Sequence, residues 1–177
     1  LRFHLARRIY PRADGIVAVS AGVAADTARI TGLARESIHV IPNPVVTPEL
    51  GELARISPGH SWFCQEREEP VILGVGRLTR QKDFPTLIRA FARLQARRPA
   101  RLAILGEGPD RAALEGLAAE LGIGARVDLL GFQPNPYPYM ARADLFALSS
   151  AWEGSPNALT EALALGTPVA ATDCPSG

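Results

Sequence analysis

From Val71 onward the chain alternates short apolar runs with stretches of helical period. Residues 71–76, 102–105, 127–130, 145–148 and 169–171 are too short for helices and rich in Val, Ile, Leu and Ala, which predicts strands buried in a sheet. Between them, residues 83–96 place Leu87, Ala90, Phe91 and Leu94 on one helical face, with Asp83 near the N-cap and Pro85 in the first turn. Residues 110–121 put Leu114, Leu117 and Leu121 on one side and end at Gly122. A loop over 133–138 leads to a short helix through Met140, and a last helix begins near Pro156 and stops at Gly166. Strands alternating with helices through short connections predict a parallel sheet covered on both faces, an α/β, Rossmann-like fold.

Upstream the pattern is thinner. Leu1, Leu5 and Ile9 lie one helical turn apart, with Arg2, Arg7 and Arg8 mostly off that stripe. A helix packed on a sheet explains this, and so does a basic helix resting on anionic lipid. Residues 13–20 and 38–41 read as strands around a helix over 23–31 that ends at Gly32. Pro42-Asn43-Pro44 cannot continue a ladder and marks a boundary. Residues 45–69 hold no period and read as loop, pinned to the core by Trp62 and Phe63. The expected division is thus 1–41 as the end of a first domain, 42–70 as linker and loop, and 71–177 as a second domain.

Composition narrows the class. Of 177 residues, 47% are hydrophobic and 21% charged, as in a globular protein. The 19 basic and 18 acidic residues leave a net charge of +1, against the basic surface that a nucleic-acid partner requires. Cys64 and Cys174 have no metal-type spacing and read as free thiols of a reducing cytosol. No run reaches the roughly 18 apolar residues that span a bilayer. The start carries neither a secretion signal nor an initiator methionine, so the chain is expected to begin inside a longer protein.

Open parallel sheets bind ligands at the carboxyl ends of their strands, and candidate chemistry gathers there. Gly74 and Gly76 are expected to leave room for a ligand, and Arg77 and Lys82 to clamp a diphosphate, one through paired N–H donors and the other as a point charge. Neither Gly74-Val-Gly76 nor Gly106-Glu-Gly108 completes a dinucleotide fingerprint, because Thr79 and Arg111 stand where a third small residue belongs. Glu153 and Glu161 are separated by seven residues, one before the last helix and one within it. The backbone N–H groups of Gly154, Ser155 and Asn157 at that helix start suit a phosphate, with hydroxyls beside each carboxylate. Taken alone, the two glutamates could equally decorate a helix surface.

Four ordered segments carry a resemblance: Gly74-Val-Gly-Arg77 with Lys82, Gly106-Glu-Gly-Pro109, Leu130-Gly-Phe132, and Glu153 through Glu161. From about Ala13 to its end, the chain resembles the retaining glycosyltransferases of the group 1 family (family 4), which have the GT-B fold. The resemblance implies a nucleoside diphosphate sugar as donor, UDP-sugar foremost, with no metal or other cofactor; the sequence has no Asp-x-Asp motif. It assigns donor binding to Gly76, Arg77, Lys82, Gly106, Gly108, Phe132, Gly154, Ser155, Pro156, Asn157 and Glu161. Glu161 would hold the ribose, and Glu153 would be catalytic beside the reacting sugar carbon. Tyr137 and Tyr139 would either stack near the base or serve packing. The acceptor, a glycan, a lipid-linked sugar or a small molecule, would meet a first domain of which this chain holds only the end. The second domain would continue past Gly177, with Ser176 and Gly177 in a further phosphate-side loop. Location in the cytoplasm or at the inner face of a membrane follows, with peripheral contact open. A non-catalytic nucleotide-sugar module and an epimerase of the same fold are the competing readings.

Overall fold

The computed structural model describes residues 2–64 and 66–175. Two compact units divide the chain. One holds the described residues of Leu1–Pro44, Trp152–Pro156 and Asp173–Gly177, the other Val45–Ala151 and Asn157–Thr172.

In the first unit, helix α1 (Arg2–Ile9) precedes strand β1 (Ile16–Ala18), helix α2 (Ala21–Thr31) and strand β2 (Ile38–Val40). β1 and β2 pair in parallel, with Ile16 opposite Ile38. Ser20 caps α2 by accepting the Val23 N–H at 3.2 Å, so the helix starts earlier than its apolar pattern suggests, and Gly32 ends it in the left-handed conformation. The expectation that the α1 stripe faces a sheet does not hold. Leu5 and Ile9 are 58% and 50% exposed, and Arg7 Nε binds the Ile30 carbonyl of α2 at 2.7 Å. A pair of three-residue strands is too narrow to cover such a stripe. Leu1 lies outside the described residues.

The second unit contains helix α3 (Glu49–Ala54) and then the predicted alternation: β3 (Val71–Val75), α4 (Phe84–Gln95), β4 (Arg101–Leu105), α5 (Arg111–Glu120), β5 (Val127–Gly131), α6 (Tyr137–Arg142), β6 (Leu145–Leu148), α7 (Asn157–Ala164) and β7 (Val169–Ala171). All five strands run parallel in the order β5-β4-β3-β6-β7. The chain builds outward from β3 on one side and then crosses back to build on the other. The strand order reverses between β3 and β6, and sheets of this kind commonly bind ligands at the carboxyl ends beside such a reversal.

Side chains alternate across the sheet. Ile72, Leu102, Ile104 and Leu129 pack against Leu87, Ile88 and Phe91 of α4 and Leu114 of α5. Val71, Leu73, Ala103, Leu105 and Phe146 pack against Tyr139 and Met140 of α6 and Ala162 of α7. Helices therefore cover both faces, as the alternation predicts.

Residues 45–69 are not wholly loop. Besides α3 they contain a 3-10 turn, Ser61–Phe63, whose Phe63 is 1% exposed and meets the Tyr139 ring edge-on at 5.0 Å. α3 has too few turns to declare a period. Tertiary bonds hold its end: Arg142 donates to the Ala54 carbonyl at 2.9 Å and Asn135 to that of Leu53 at 3.0 Å. Asp83 occupies the position before α4 as expected, but its side chain does not cap the helix.

Two glycines of this unit make opposite demands. A Cβ on Gly74 would come within 2.9 Å of the Phe84 ring and 3.1 Å of Leu87, whereas one on Gly116, in the exposed middle of α5, meets nothing within 4 Å. Gly116→Ala is expected to stabilise the full-length protein by about 0.5–1 kcal/mol and Gly74→Ala to destabilise it by about 1–3 kcal/mol, as chemical denaturation midpoints will show.

Candidate functional site

The loops leaving β3 and β4 are joined backbone to backbone. Gly76 N–H donates to the Leu105 carbonyl at 2.9 Å, Leu78 N–H to that of Glu107 at 2.9 Å, and Gly106 N–H to that of Gly131 at 2.8 Å. A Cβ on Gly106 would stand 2.0 Å from the Gly76 oxygen, and one on Gly108 2.3 Å from the Leu78 oxygen. No side chain fits at either place. For Gly74 the expected room for a ligand is not found. The space beside Gly74 belongs to α4, and Lys82 lies over Gly76, its Cε 2.9 Å from where a Cβ would be. Gly106 and Gly108 are required by close backbone packing and Gly74 by α4, whereas Gly76 meets only the flexible Lys82 side chain.

A cleft of about 510 Å³ opens beyond these loops, lined by Val75, Gly76, Arg77, Gly106, Glu107 and Phe132 together with the Gln133–Pro136 turn. It lies at the carboxyl ends of β3, β4 and β5, and its walls are mainly apolar. Phe132 presents its ring at 72% exposure. Gln133 is tied back by donating to the Leu130 carbonyl at 2.9 Å. Glu107 was not a candidate from sequence, although it stands between two motif glycines. Its carboxylate accepts from Arg111 at 3.2 Å, and Arg111 also donates to the Leu129 carbonyl at 2.7 Å.

Lys82 is half-buried at the end of the β3 loop. Its N–H donates to the Thr79 carbonyl at 3.0 Å, and its own carbonyl accepts from Ser149 Oγ at 2.8 Å. Arg77 and Lys82 are thus both brought to Gly76, one lining the cleft and the other lying over the glycine.

Glu161, one turn into α7, is half-buried and accepts from the Tyr137 hydroxyl at 3.4 Å. Burial raises its pKa above the ordinary carboxylate value, and the Tyr137 hydrogen bond opposes that rise. The Tyr137 hydroxyl is itself pushed up, by burial first and then by the Glu161 charge. Tyr139 is a packing residue: 6% exposed, it donates to the Pro58 carbonyl at 2.9 Å.

Glu153, Gly154, Ser155 and Pro156 belong to the first unit. Glu153 is 7% exposed and its N–H donates to the Pro175 carbonyl at 3.2 Å. A Cβ on Gly154 would meet Val23 at 3.3 Å. α7 begins at Asn157, one residue later than the proline suggests, and Gly166 follows its end with φ 79°. Ser176 and Gly177 lie outside the described residues. Cys64 and Cys174 are free thiols.

Comparison with known proteins finds the Glycosyl transferases group 1 family over residues 64–177 and Glycosyltransferase Family 4 over residues 1–48. The chain belongs to the group 1 glycosyltransferases. It is 36% identical over 169 residues to the N-acetylgalactosamine-N,N'-diacetylbacillosaminyl-diphospho-undecaprenol 4-alpha-N-acetylgalactosaminyltransferase of Campylobacter jejuni, covering 96% of this chain and 44% of that one. The lipopolysaccharide 1,6-galactosyltransferase of Salmonella typhimurium is 33% identical over 172 residues, 93% of this chain and 44% of its own. Among solved structures, HepE of Anabaena in complex with UDP and glucose matches with a TM-score of 0.82 and 25% identity, over 98% of this chain and 48% of its own. The fold is thus that of the GT-B glycosyltransferases. This group 1 chain spans less than half the length of the curated relatives it matches.

The raised pKa of Glu161 has a sign that experiment can read. A carboxyl with a folded-state pKa above its unfolded one favours folding while protonated, and that contribution is lost as pH rises through the folded value. The full-length protein is therefore expected to lose a component of its stability as pH rises above the ordinary glutamate range, as denaturation midpoints measured across pH will show. Glu161→Gln should remove that component, and Tyr137→Phe, which takes away the hydrogen bond opposing the rise, should move it to higher pH.

Proposed function

We propose that the full-length protein transfers a sugar from a nucleoside diphosphate sugar to an acceptor with retention of configuration, and that this chain supplies donor binding. The observation that carries the reading is the cleft at the carboxyl ends of β3, β4 and β5, in a chain of the group 1 family. Arg77 and Lys82 hold the diphosphate together with the backbone from Gly154 to Asn157. Glu161 accepts from the ribose hydroxyls. Phe132 and the loop around Gly106 and Gly108 border the base. Glu153 faces the transferred sugar. As the bond from the anomeric carbon to the diphosphate oxygen breaks, Glu153 stabilises positive charge on the ring, while the two cations and the helix start take up charge on the leaving group. The acceptor hydroxyl enters from the leaving-group side, and its proton goes to the departing phosphate. Cationic side chains do the work that a divalent ion does elsewhere, so no metal is required.

UDP is the favoured nucleotide, because HepE is complexed with UDP and glucose. A glycan or lipid-linked acceptor is favoured by the Campylobacter relative, whose name contains a diphospho-undecaprenol acceptor. Transfer to such an acceptor would take place at the inner face of a membrane; no helix of the described residues is long and apolar enough to cross one.

The test separates binding from chemistry in the full-length protein. Lys82→Ala and Arg77→Ala should each weaken UDP binding and slow transfer, by on the order of a hundredfold where a transition-state donor is lost. Glu161→Ala should weaken UDP and UDP-sugar alike. Glu153→Ala should leave UDP affinity nearly intact and lower turnover. Equal loss of UDP binding in the two glutamate variants would overturn their division of roles. UDP-sugar binding without turnover against any glycan or lipid-linked acceptor would favour a non-catalytic module.

A further inference from the structure

We infer that Ser149 is a positioning residue for Lys82, holding the lysine through its backbone carbonyl; this rests on the diphosphate role proposed for Lys82. Ser149 follows β6 directly and is 8% exposed, so its hydroxyl has little access to water. It donates to the Lys82 carbonyl at 2.8 Å across 67 residues of sequence. The neighbouring Ala151 N–H donates to the Gln81 carbonyl at 2.8 Å. The β6 loop is itself anchored. Thr172 donates its N–H to the Leu148 carbonyl at 2.9 Å and its hydroxyl to that of Ser150 at 2.6 Å.

A second observation shows that the peptide so held is under constraint. Asp83, next in the chain, has φ 44° and ψ 47° and is the one non-glycine residue with positive φ among those described. Aspartate tolerates this left-handed conformation better than most residues, but such a conformation lasts only where its surroundings over-determine it. The Thr86 N–H donates to the Asp83 carbonyl at 3.0 Å and the Thr86 hydroxyl to the Asp83 carboxylate at 2.7 Å, fixing the far side of the turn. Ser149 fixes the near side. Between the two, the chain leaves Lys82 with its side chain over Gly76 before entering α4. Without the Ser149 hydroxyl the Lys82 carbonyl loses this partner, and the turn relaxes toward an ordinary helix entry.

The experiment is a double-mutant cycle in the full-length protein, with UDP as the calorimetric probe and GDP run in parallel. Ser149→Ala should weaken nucleotide binding on the order of fivefold, the worth of one lost hydrogen bond. Ser149→Cys, close in size and a weaker donor, should give a smaller loss. In the Lys82→Ala background, Ser149→Ala should add nothing, because the group it positions is gone. Equal losses in both backgrounds would mean that Ser149 supports the loop without acting through Lys82, and would overturn the inference. So would unchanged affinity in Ser149→Ala while Lys82→Ala weakens binding. If Lys82→Ala itself leaves binding unchanged, the diphosphate role of Lys82 falls and the inference falls with it.

Discussion

The backbones that leave β3 and β4 approach so closely that hydrogen bonding continues past both strand ends, from Gly76 to Leu105 and from Leu78 to Glu107. Connections at the end of a parallel sheet ordinarily diverge over the surface. Here they stay in contact because Gly106 and Gly108 leave no side chain between them, a Cβ at either position standing within 2.3 Å of a backbone oxygen. Arg77, Phe132 and Glu107 are presented around one cleft as a result. If the two loops were separated by even one methyl group, Gly76 would lose its partner and Lys82 the surface over which it lies.

The cations around the sheet differ in what engages them. At the amino end, Glu69 pairs with both Arg101 and Arg126, and its pKa is lowered, by the Arg126 hydrogen bond first. Arg101 also lies over the Trp62 ring, 5.0 Å from its centre. Arg67 and Asp144 pair at 2.9 Å, and Asp144 in turn accepts the first N–H of β3. These cations close off strand starts. At the carboxyl end Arg111 is similarly engaged, pairing with Glu107 and Glu115. Arg77 instead lines open space. A near-neutral net charge conceals this division, since it counts paired and cleft-lining cations alike.

How much was legible follows from the range of the interactions. Every strand and helix after Val71 was readable, because burial on a two-sided sheet writes its period directly into the sequence. α3 was not, since six residues carry only three apolar positions and its end is held by Arg142 and Asn135 from elsewhere. Of the motif glycines, Gly76 and Gly106 line the cleft, while the space beside Gly74 is filled by α4. Their spacing reveals a demand for closeness, not whether a ligand or another backbone makes it. Glu107 and Ser149 were missed for a related reason. Glu107 reads as an ordinary loop carboxylate, and Ser149 acts through a residue 67 positions away. Cleft-lining and loop-bridging contacts of this kind have no local signature.

Apart from Gly59, at φ 69° in the loop before the Ser61–Phe63 turn, the positive-φ residues sort in the same way. Gly32, Gly122 and Gly166 have φ of 81°, 69° and 79° and follow the ends of α2, α5 and α7, where left-handed residues commonly terminate helices. Asp83, Gly106 and Gly131, at 44°, 134° and 74°, instead stand after β3, after β4 and at the end of β5. Gly131 also sits where the β4–β5 register slips by one residue, and the Glu107 carboxylate occupies the space a Cβ would need. Local cost is thus concentrated on one edge of the sheet. It is sustainable there because β3 and β4 beneath are buried on both faces and paired on both sides, so their loops cannot relax without breaking a ladder. A rigid sheet below and a constrained rim above hold polar groups in place before any ligand arrives, which lowers the ordering cost of binding.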